Sequence, residues 1–212
     1  MTTPNGKVLL VDYGGVLTGS IGDSFESFET DHDLEPGTVY RILSQAYVGD
    51  HGGLIGQFER GEVTKAAFEE ALATLLRKEG RDVDPDGLIA RLFRFAGDDG
   101  GMWEVVARAQ AAGIRTGLLS NSWGTDWYPY DKLNEIFDDL VISGDVGLRK
   151  PDPAIYQLAM DRFGATPEQC AFVDDLHHNV HVADELGMHG VLHESVETTV
   201  ERLEPFLGVS LT

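Results

Sequence analysis

The sequence predicts an α/β protein: a parallel sheet with helices on both faces and a helical cap inserted after the first strand. Three observations lead there. Short apolar runs alternate with helical stripes, the connections between them are brief, and one long stretch near the N-terminus holds helical patterns only.

Each element has its own signal. Val8–Val11 is a continuous apolar run, as in a strand buried on both faces. Past the inserted stretch, Met102, Val105, Val106 and Ala109 fall at i, i+3, i+4 and i+7, and Gly113 stops that helix. Ile114–Leu119 reads as the second strand and Leu140–Ser143 as the third. Asp152 is then placed as N-cap of a helix with Pro153 at its first position; Tyr156, Ala159, Met160 and Phe163 form its stripe, and Gly164 ends it. Ala171–Val173 is the fourth strand, a helix closing at Gly187 follows, and Gly190–His193 is the fifth.

The segment from Gly19 to Gly97 lacks a convincing strand. It carries helical patterns over Thr38–Tyr47, Thr64–Glu79 (Phe68, Leu72, Leu75 and Leu76 on one face) and Asp86–Phe95. Glycines and acidic turns mark its edges, at Gly19–Gly22 and at Gly97-Asp-Asp-Gly-Gly101. The expected division is a core of residues 1–18 and 98–212 and a cap of residues 19–97. The cap would sit where a lid sits, over the carboxyl ends of the strands, where ligands of open α/β sheets bind.

At 212 residues the chain can bury a substantial core. Its 16 basic residues against 36 acidic ones give a net charge of −20, which argues against nucleic acid or an anionic membrane as partner. Any phosphate substrate must therefore be drawn in by local positive charge. No apolar run approaches the roughly 20 residues that span a bilayer, and Met1–Gly6 is short and polar for a secretion signal. The lone Cys170 excludes an intrachain disulfide and fits a reducing compartment. The expectation is a cytoplasmic protein, monomer or homodimer, acting on a small molecule.

Four strand ends each deliver polar residues. The first gives Asp12, with Gly14 and Gly15 letting the backbone turn tightly against a ligand. LLSNSWG gives Ser120 and Asn121, and GDVGLRKPDP gives Lys150, which Pro151 should hold extended. AFVDDLHHN gives Asp174 and Asp175, with Asn179 one turn further on. Singly, each has a plain structural reading as a turn residue, a cap or a surface lysine. Their order and spacing together carry more.

That order resembles the haloacid dehalogenase superfamily along the whole chain: VDYGGVLTG, LLSN, the lysine of RKPDP, and FVDD with Asn179. FERGEVTKAAFEEAL, SGDVGLRKPDPAIYQLA and FVDDLHHNVHVADELGM look closest to small capped phosphatases, among them the phosphatase domain of soluble epoxide hydrolase and bacterial sugar-1-phosphate phosphatases. The resemblance implies a Rossmann-like core and a phosphorylated small-molecule substrate. It implies Asp12 as nucleophile forming an aspartyl phosphate. It also implies Mg²⁺ held by Asp12, the carbonyl of Gly14 and Asp175, with Asp174 beside them. Ser120 would donate to a phosphoryl oxygen, helped by backbone N–H groups near Asn121, and Lys150 would neutralise charge. Gly15, Asn121 and Trp123 would border the substrate.

One position departs from that pattern. The family carries a second aspartate where this chain has Gly14, a residue that protonates the leaving oxygen and then activates water. Glycine keeps the carbonyl and loses the proton carrier, and such help is typically worth about 10²–10⁴ in rate. Three outcomes stay open: esters with better leaving groups, such as anomeric sugar or acyl phosphates; a stand-in such as Asp23, His51 or Thr18; or a binding protein with weak turnover. Dehalogenation is the rival chemistry, since dehalogenases of this superfamily also lack the second aspartate. Their fourth motif reads Ser-Ser-Asn, however, where this chain has Asp174, Asp175 and Leu176, and two carboxylates would repel a carboxylate substrate.

Other features have ordinary readings beside sharper ones. Trp123, Trp127, Tyr128 and Tyr130 either pack on the core rim or wall the substrate. His177 and His181, at i and i+4, either lie on an exposed first turn or bind a transition metal. Gly61 ends a helix.

Overall fold

The computed structural model describes residues 6–48, 52–94, 96–97 and 100–212. His51, Phe95, Asp98 and Asp99 lie outside the described residues. Five strands, β1 (Val8–Val11), β2 (Arg115–Ser120), β3 (Asp139–Ile142), β4 (Cys170–Asp174) and β5 (His189–Leu192), make one parallel sheet ordered β3-β2-β1-β4-β5. All four residues of β1 are buried, as an unbroken apolar run in a central parallel strand requires. The chain leaves β1 in one direction for β2 and β3 and returns on the other side for β4 and β5. The carboxyl end of β1 is therefore the switch point where such sheets open a crevice. Val11 pairs with Leu118 on one side and Val173 on the other, so Asp12 emerges level with Asp174 on one side and with Leu119, one residue before Ser120, on the other.

The helices are α1 (Ile21–Asp31), α2 (Thr38–Ala46), α3 (Gly53–Glu59), α4 (Lys65–Lys78), α5 (Leu88–Leu92), α6 (Gly100–Ala111), α7 (Tyr130–Ile136), α8 (Ser143–Val146), α9 (Pro153–Phe163), α10 (His177–Glu185) and α11 (Val196–Leu207). Asp152 caps α9 as its sequence predicts, accepting the Ala154 N–H at 2.9 Å. Ser143 opens α8 instead of closing the third strand. The helices α1, α3, α7 and α11 carry patterns too short or too mixed to announce themselves. In α11 an internal Pro205 breaks the expected helical run while the helix continues around it.

Three apolar clusters hold the molecule together. On one face of the sheet Leu9, Val11 and Leu118 meet Met102 and Val106 of α6 and Leu203 and Leu207 of α11. On the other, Leu10 and Phe172 meet Tyr156 and Met160 of α9 and Ala183 of α10. The third lies mainly within α1–α5, built on Phe28, Ile42, Ile55, Phe68, Leu72 and Leu88, with Trp123 and Trp127 packed against it. A fully buried side chain of this size contributes roughly 1.5–3 kcal/mol, so these five helices carry a core of their own.

Several contacts close the neck of this helical lobe and join it to the sheet domain, among them the following. At its neck the Gly19 N–H donates to the Gly97 carbonyl at 2.6 Å. Beyond α3, Gly61 has a φ of +73° and rests so close to the Gly144 carbonyl that a Cβ would stand 2.8 Å from it. Glu59, at the end of α3, is buried and paired with Arg149 at 2.5 Å, and its backbone carbonyl accepts from Ser143 Oγ at 2.5 Å. Burial holds the Glu59 carboxyl above the usual carboxylate range, with Arg149 opposing it.

Candidate active site

At the tip of β1, Asp12 Oδ1 accepts the Tyr13 N–H at 2.7 Å and meets Lys150 Nζ at 2.9 Å. The same ammonium lies 2.6 Å from Asp174 Oδ2 at the tip of β4. Lys150 is 1% exposed and Asp174 0%, so this is a buried carboxylate–ammonium–carboxylate bridge across adjacent strands. Burial alone would lower the lysine's pKa; Asp12 and Asp174 reverse that and hold it above its ordinary value. The site stays overcharged, because Asp175 brings a third carboxylate and ligand oxygens of Asp12, Asp174 and Asp175 lie within 4.8 Å of one another. Burial pushes Asp12 up to about 7 against the pull of Lys150, and burial with Asp174 pushes Asp175 up to about 6. Three hard oxygen donors crowded around one ammonium are a chemistry that fits a divalent cation.

Each member has a local support. Asp174 Oδ1 accepts from the Leu176 N–H at 2.8 Å and from Asn179 Nδ2 at 3.0 Å. Lys150 sits in a turn, with the Asp152 N–H on the Arg149 carbonyl at 2.9 Å and a cis peptide to Pro151. Asn121 grips that turn with two bonds, its Oδ1 accepting the Lys150 N–H at 2.8 Å and its Nδ2 donating to the Lys150 carbonyl at 3.0 Å. Asn121 borders the cavity, yet its amide is spent on placing the lysine.

Ser120 Oγ lies 2.9 Å from Tyr128 Oη. Tyr128 is buried, and burial keeps its phenol protonated by raising its pKa. Sequence reasoning left Tyr128 between packing on the core rim and an aromatic wall and missed this bond, since nothing local announces a contact eight residues away.

The two glycines after Asp12 differ. Gly15 has a φ of +74°, and a Cβ there would come within 2.7 Å of the Asp175 carboxyl carbon. Only glycine fits between those strands. At Gly14 a Cβ would meet Ile21 Cδ1 at 3.7 Å, an ordinary contact, and the backbone is not left-handed. Nothing in the fold requires glycine there.

The proposed stand-ins fare unevenly. Thr18 Oγ1 accepts the Gly15 N–H at 2.9 Å and donates to the Gly19 carbonyl at 3.1 Å, which engages it as a loop staple. Asp23 is exposed in the first turn of α1 and does not line the cavity. His177 and His181 stack at 6.5 Å on α10, away from the three-carboxylate group, which alone among the described residues gathers three such ligands.

A cavity of about 700 Å³ opens above these strand tips. Asp12, Gly14, Gly15, Ser120, Lys150 and Asp175 form its floor, and the lobe supplies Phe25, Tyr40, Tyr47 and Phe93. Trp123, Trp127 and Tyr128 line it too, whereas Tyr130 begins α7 and does not. Trp123 packs edge-on against Phe68 of the lobe at 5.7 Å, so it borders the cavity and bridges to the helical lobe at once.

This fold and this arrangement of strand tips define a hydrolase class. The haloacid dehalogenase-like hydrolase family model matches residues 2–187, and the chain belongs to that family. Bifunctional epoxide hydrolase 2 of Sus scrofa is 32% identical over 117 residues, 52% of this chain and 21% of that protein. Flavin mononucleotide hydrolase 1 of Arabidopsis thaliana is 30% identical over 165 residues, 74% of this chain and 62% of that protein. The chain spans about a fifth of the length of the first curated relatives it matches. Among solved structures, a HAD family enzyme of Bacteroides thetaiotaomicron in complex with magnesium and inorganic phosphate has the same fold, with a TM-score of 0.64 at 22% identity over 89% of this chain and 94% of that one. Among the described residues no helix is long and apolar enough to cross a membrane.

Proposed function

We propose that the protein is a Mg²⁺-dependent phosphatase that hydrolyses a small phosphate ester through an aspartyl phosphate on Asp12. Residues 1–18 and 98–212 act as the catalytic core and 19–97 as its cap. The observation that carries this reading is the Asp12–Lys150–Asp174 bridge with Asp175 beside it on the cavity floor. The names of the similar proteins agree: one hydrolyses flavin mononucleotide, and another was solved with magnesium and inorganic phosphate.

Asp12, the Gly14 carbonyl and Asp175 would hold the cation, with Asp174 beside them. When bound, Mg²⁺ supplies the charge neutralisation that lets a phosphate dianion approach three carboxylates. Lys150 adds a fixed positive charge next to Asp12. Asn121 keeps that lysine in place, and Ser120 donates to a phosphoryl oxygen, oriented by Tyr128. Gly15 and Trp123 border the substrate. An Asp12 oxygen forms a bond to phosphorus as the ester P–O bond breaks, and the leaving oxygen departs with the electron pair. Water then attacks phosphorus, returning the Asp12 carboxylate and releasing inorganic phosphate. Phosphoryl transfer asks the protein mainly for position and charge, and both are present.

The same carboxylates weigh against a 2-haloacid substrate, whose own charge they would repel. Phosphate release from a panel of sugar, acyl, aryl and nucleotide phosphates tests the reading, with Mg²⁺ and with EDTA, beside Asp12→Asn. Turnover should need both the metal and Asp12. Equal, negligible release from both proteins would overturn it, as would metal-independent chloride release from 2-chloropropionate.

A further inference from the structure

We infer that the cavity selects aryl phosphates, monoesters whose leaving group is a phenol; this deepens the phosphatase reading and rests on it. Two independent observations meet on that class. The first is a run of rings in contact. Tyr40 meets Phe25 at 5.2 Å, Phe25 meets Phe93 at 5.7 Å, Phe93 meets Trp127 at 4.8 Å, and Trp127 meets Tyr13 at 5.7 Å. All five line the cavity. They carry an unbroken aromatic wall from α2, across the lobe, to the residue after Asp12. Tilted and edge-on pairs at such separations are the favoured ring geometries, and another ring can continue the series.

The polar inventory of the lobe points the same way. Among the described residues Glu59 is the one carboxylate it contributes to the cavity lining, and that carboxylate is already bonded to Arg149 and to Tyr47. Ser20 is engaged by the Asp23 N–H, so what the lobe offers a sugar on this side is the hydroxyls of Ser44 and Tyr40, with no further charged group or amide among the described residues, whereas a flat apolar nucleus needs none. A volume of about 700 Å³ accommodates such a nucleus, being typical of small-molecule sites.

The second observation is Gly14. No side chain there protonates the leaving oxygen, although the backbone would accept one. A phenol leaves as its anion with a pKa of about 10, whereas an alkoxide resembles water, whose pKa is about 15.7. The wall thus binds the kind of leaving group that needs no general acid. In the step itself Asp12 bonds to phosphorus, the aryl P–O bond breaks, and the phenolate carries off the electron pair and takes a proton from solvent water.

Four esters separate the two ideas: phenyl phosphate (ring, acidic leaving group), benzyl phosphate (ring, alkoxide), acetyl phosphate (no ring, acidic leaving group) and glycerol 3-phosphate (neither). With Mg²⁺, kcat/KM for phenyl phosphate should exceed each of the others by about 10-fold or more. A smaller gap to benzyl phosphate, or to acetyl phosphate, overturns the inference. Gly14→Asp should raise turnover of benzyl phosphate far more than that of phenyl phosphate. Tyr40, 54% exposed, can be replaced without opening a core. Tyr40→Ala should raise KM for phenyl phosphate by about 3- to 10-fold, and by more than it raises KM for acetyl phosphate.

Binding of a non-hydrolysable pair gives a readout apart from activity. Phenylphosphonate should quench tryptophan fluorescence at a lower concentration than methylphosphonate, and equal binding of the two overturns the aryl selection. Should none of the four esters release phosphate above the Asp12→Asn level, the phosphatase reading falls, while the phosphonate titration still decides what the wall selects.

Discussion

The floor of the cavity and its walls are built by opposite means. The floor rests on a set of buried charges and amides, Asp12, Lys150, Asp174 behind them and Asn179, each held by short polar bonds. The walls are rings touching rings, with almost no charge among them. A buried polar network is high-stakes, since removing one member strands the others. Ring packing is distributed, and one member can be trimmed at modest cost. The floor should therefore fail abruptly and the walls gradually.

Lys150→Met breaks that comparison most severely. It leaves Asp12 and Asp174 buried without their cation, and stability should fall by about 3–5 kcal/mol, read from a urea melt without metal. A loss no larger than that of an ordinary surface substitution would show that the bridge is not holding the strand tips. Gly15→Ala should cost about 1–3 kcal/mol, because the new methyl meets the Asp175 carboxylate on a left-handed backbone; thermal melting reads it. In the walls, Phe25→Leu keeps most of the volume and should cost less than about 1.5 kcal/mol, with a several-fold change in KM for an aryl ester and little in kcat. The smallest effect has the opposite sign. Gly14→Ala should stabilise by about 0.4–1 kcal/mol, since an alanine fits and narrows the unfolded ensemble. Destabilisation there would mean that the loop needs glycine after all.

Much of the floor was legible because each of its residues follows a strand that announces itself. Val8–Val11 is apolar throughout and ends in Asp12; the fourth strand ends in Asp174 just as visibly. The stripe of α4 also held, with Phe68, Leu72 and Leu76 buried. Of the walls, Trp127 alone was legible, and only as one of two readings. Their rings stand at 13, 25, 40, 93 and 127, with no period linking them. Tyr40 is a largely exposed residue on its helix, and α1, which brings in Phe25, was not foreseen. The side-chain bonds of Asn121 were not legible either, because a turn amide looks the same whether it faces a ligand or the backbone of Lys150.

By itself the sequence determined which side chains arrive at the strand ends, because burial patterns and turn chemistry are local and periodic. Only the tertiary structure decided that Lys150 stands between Asp12 and Asp174, that Gly15 must be glycine while Gly14 need not be, and that five scattered rings form one surface. Those facts depend on strand order and on how the inserted lobe folds over the sheet, which are set by through-space contact between segments whose spacing in the chain carries no trace of it.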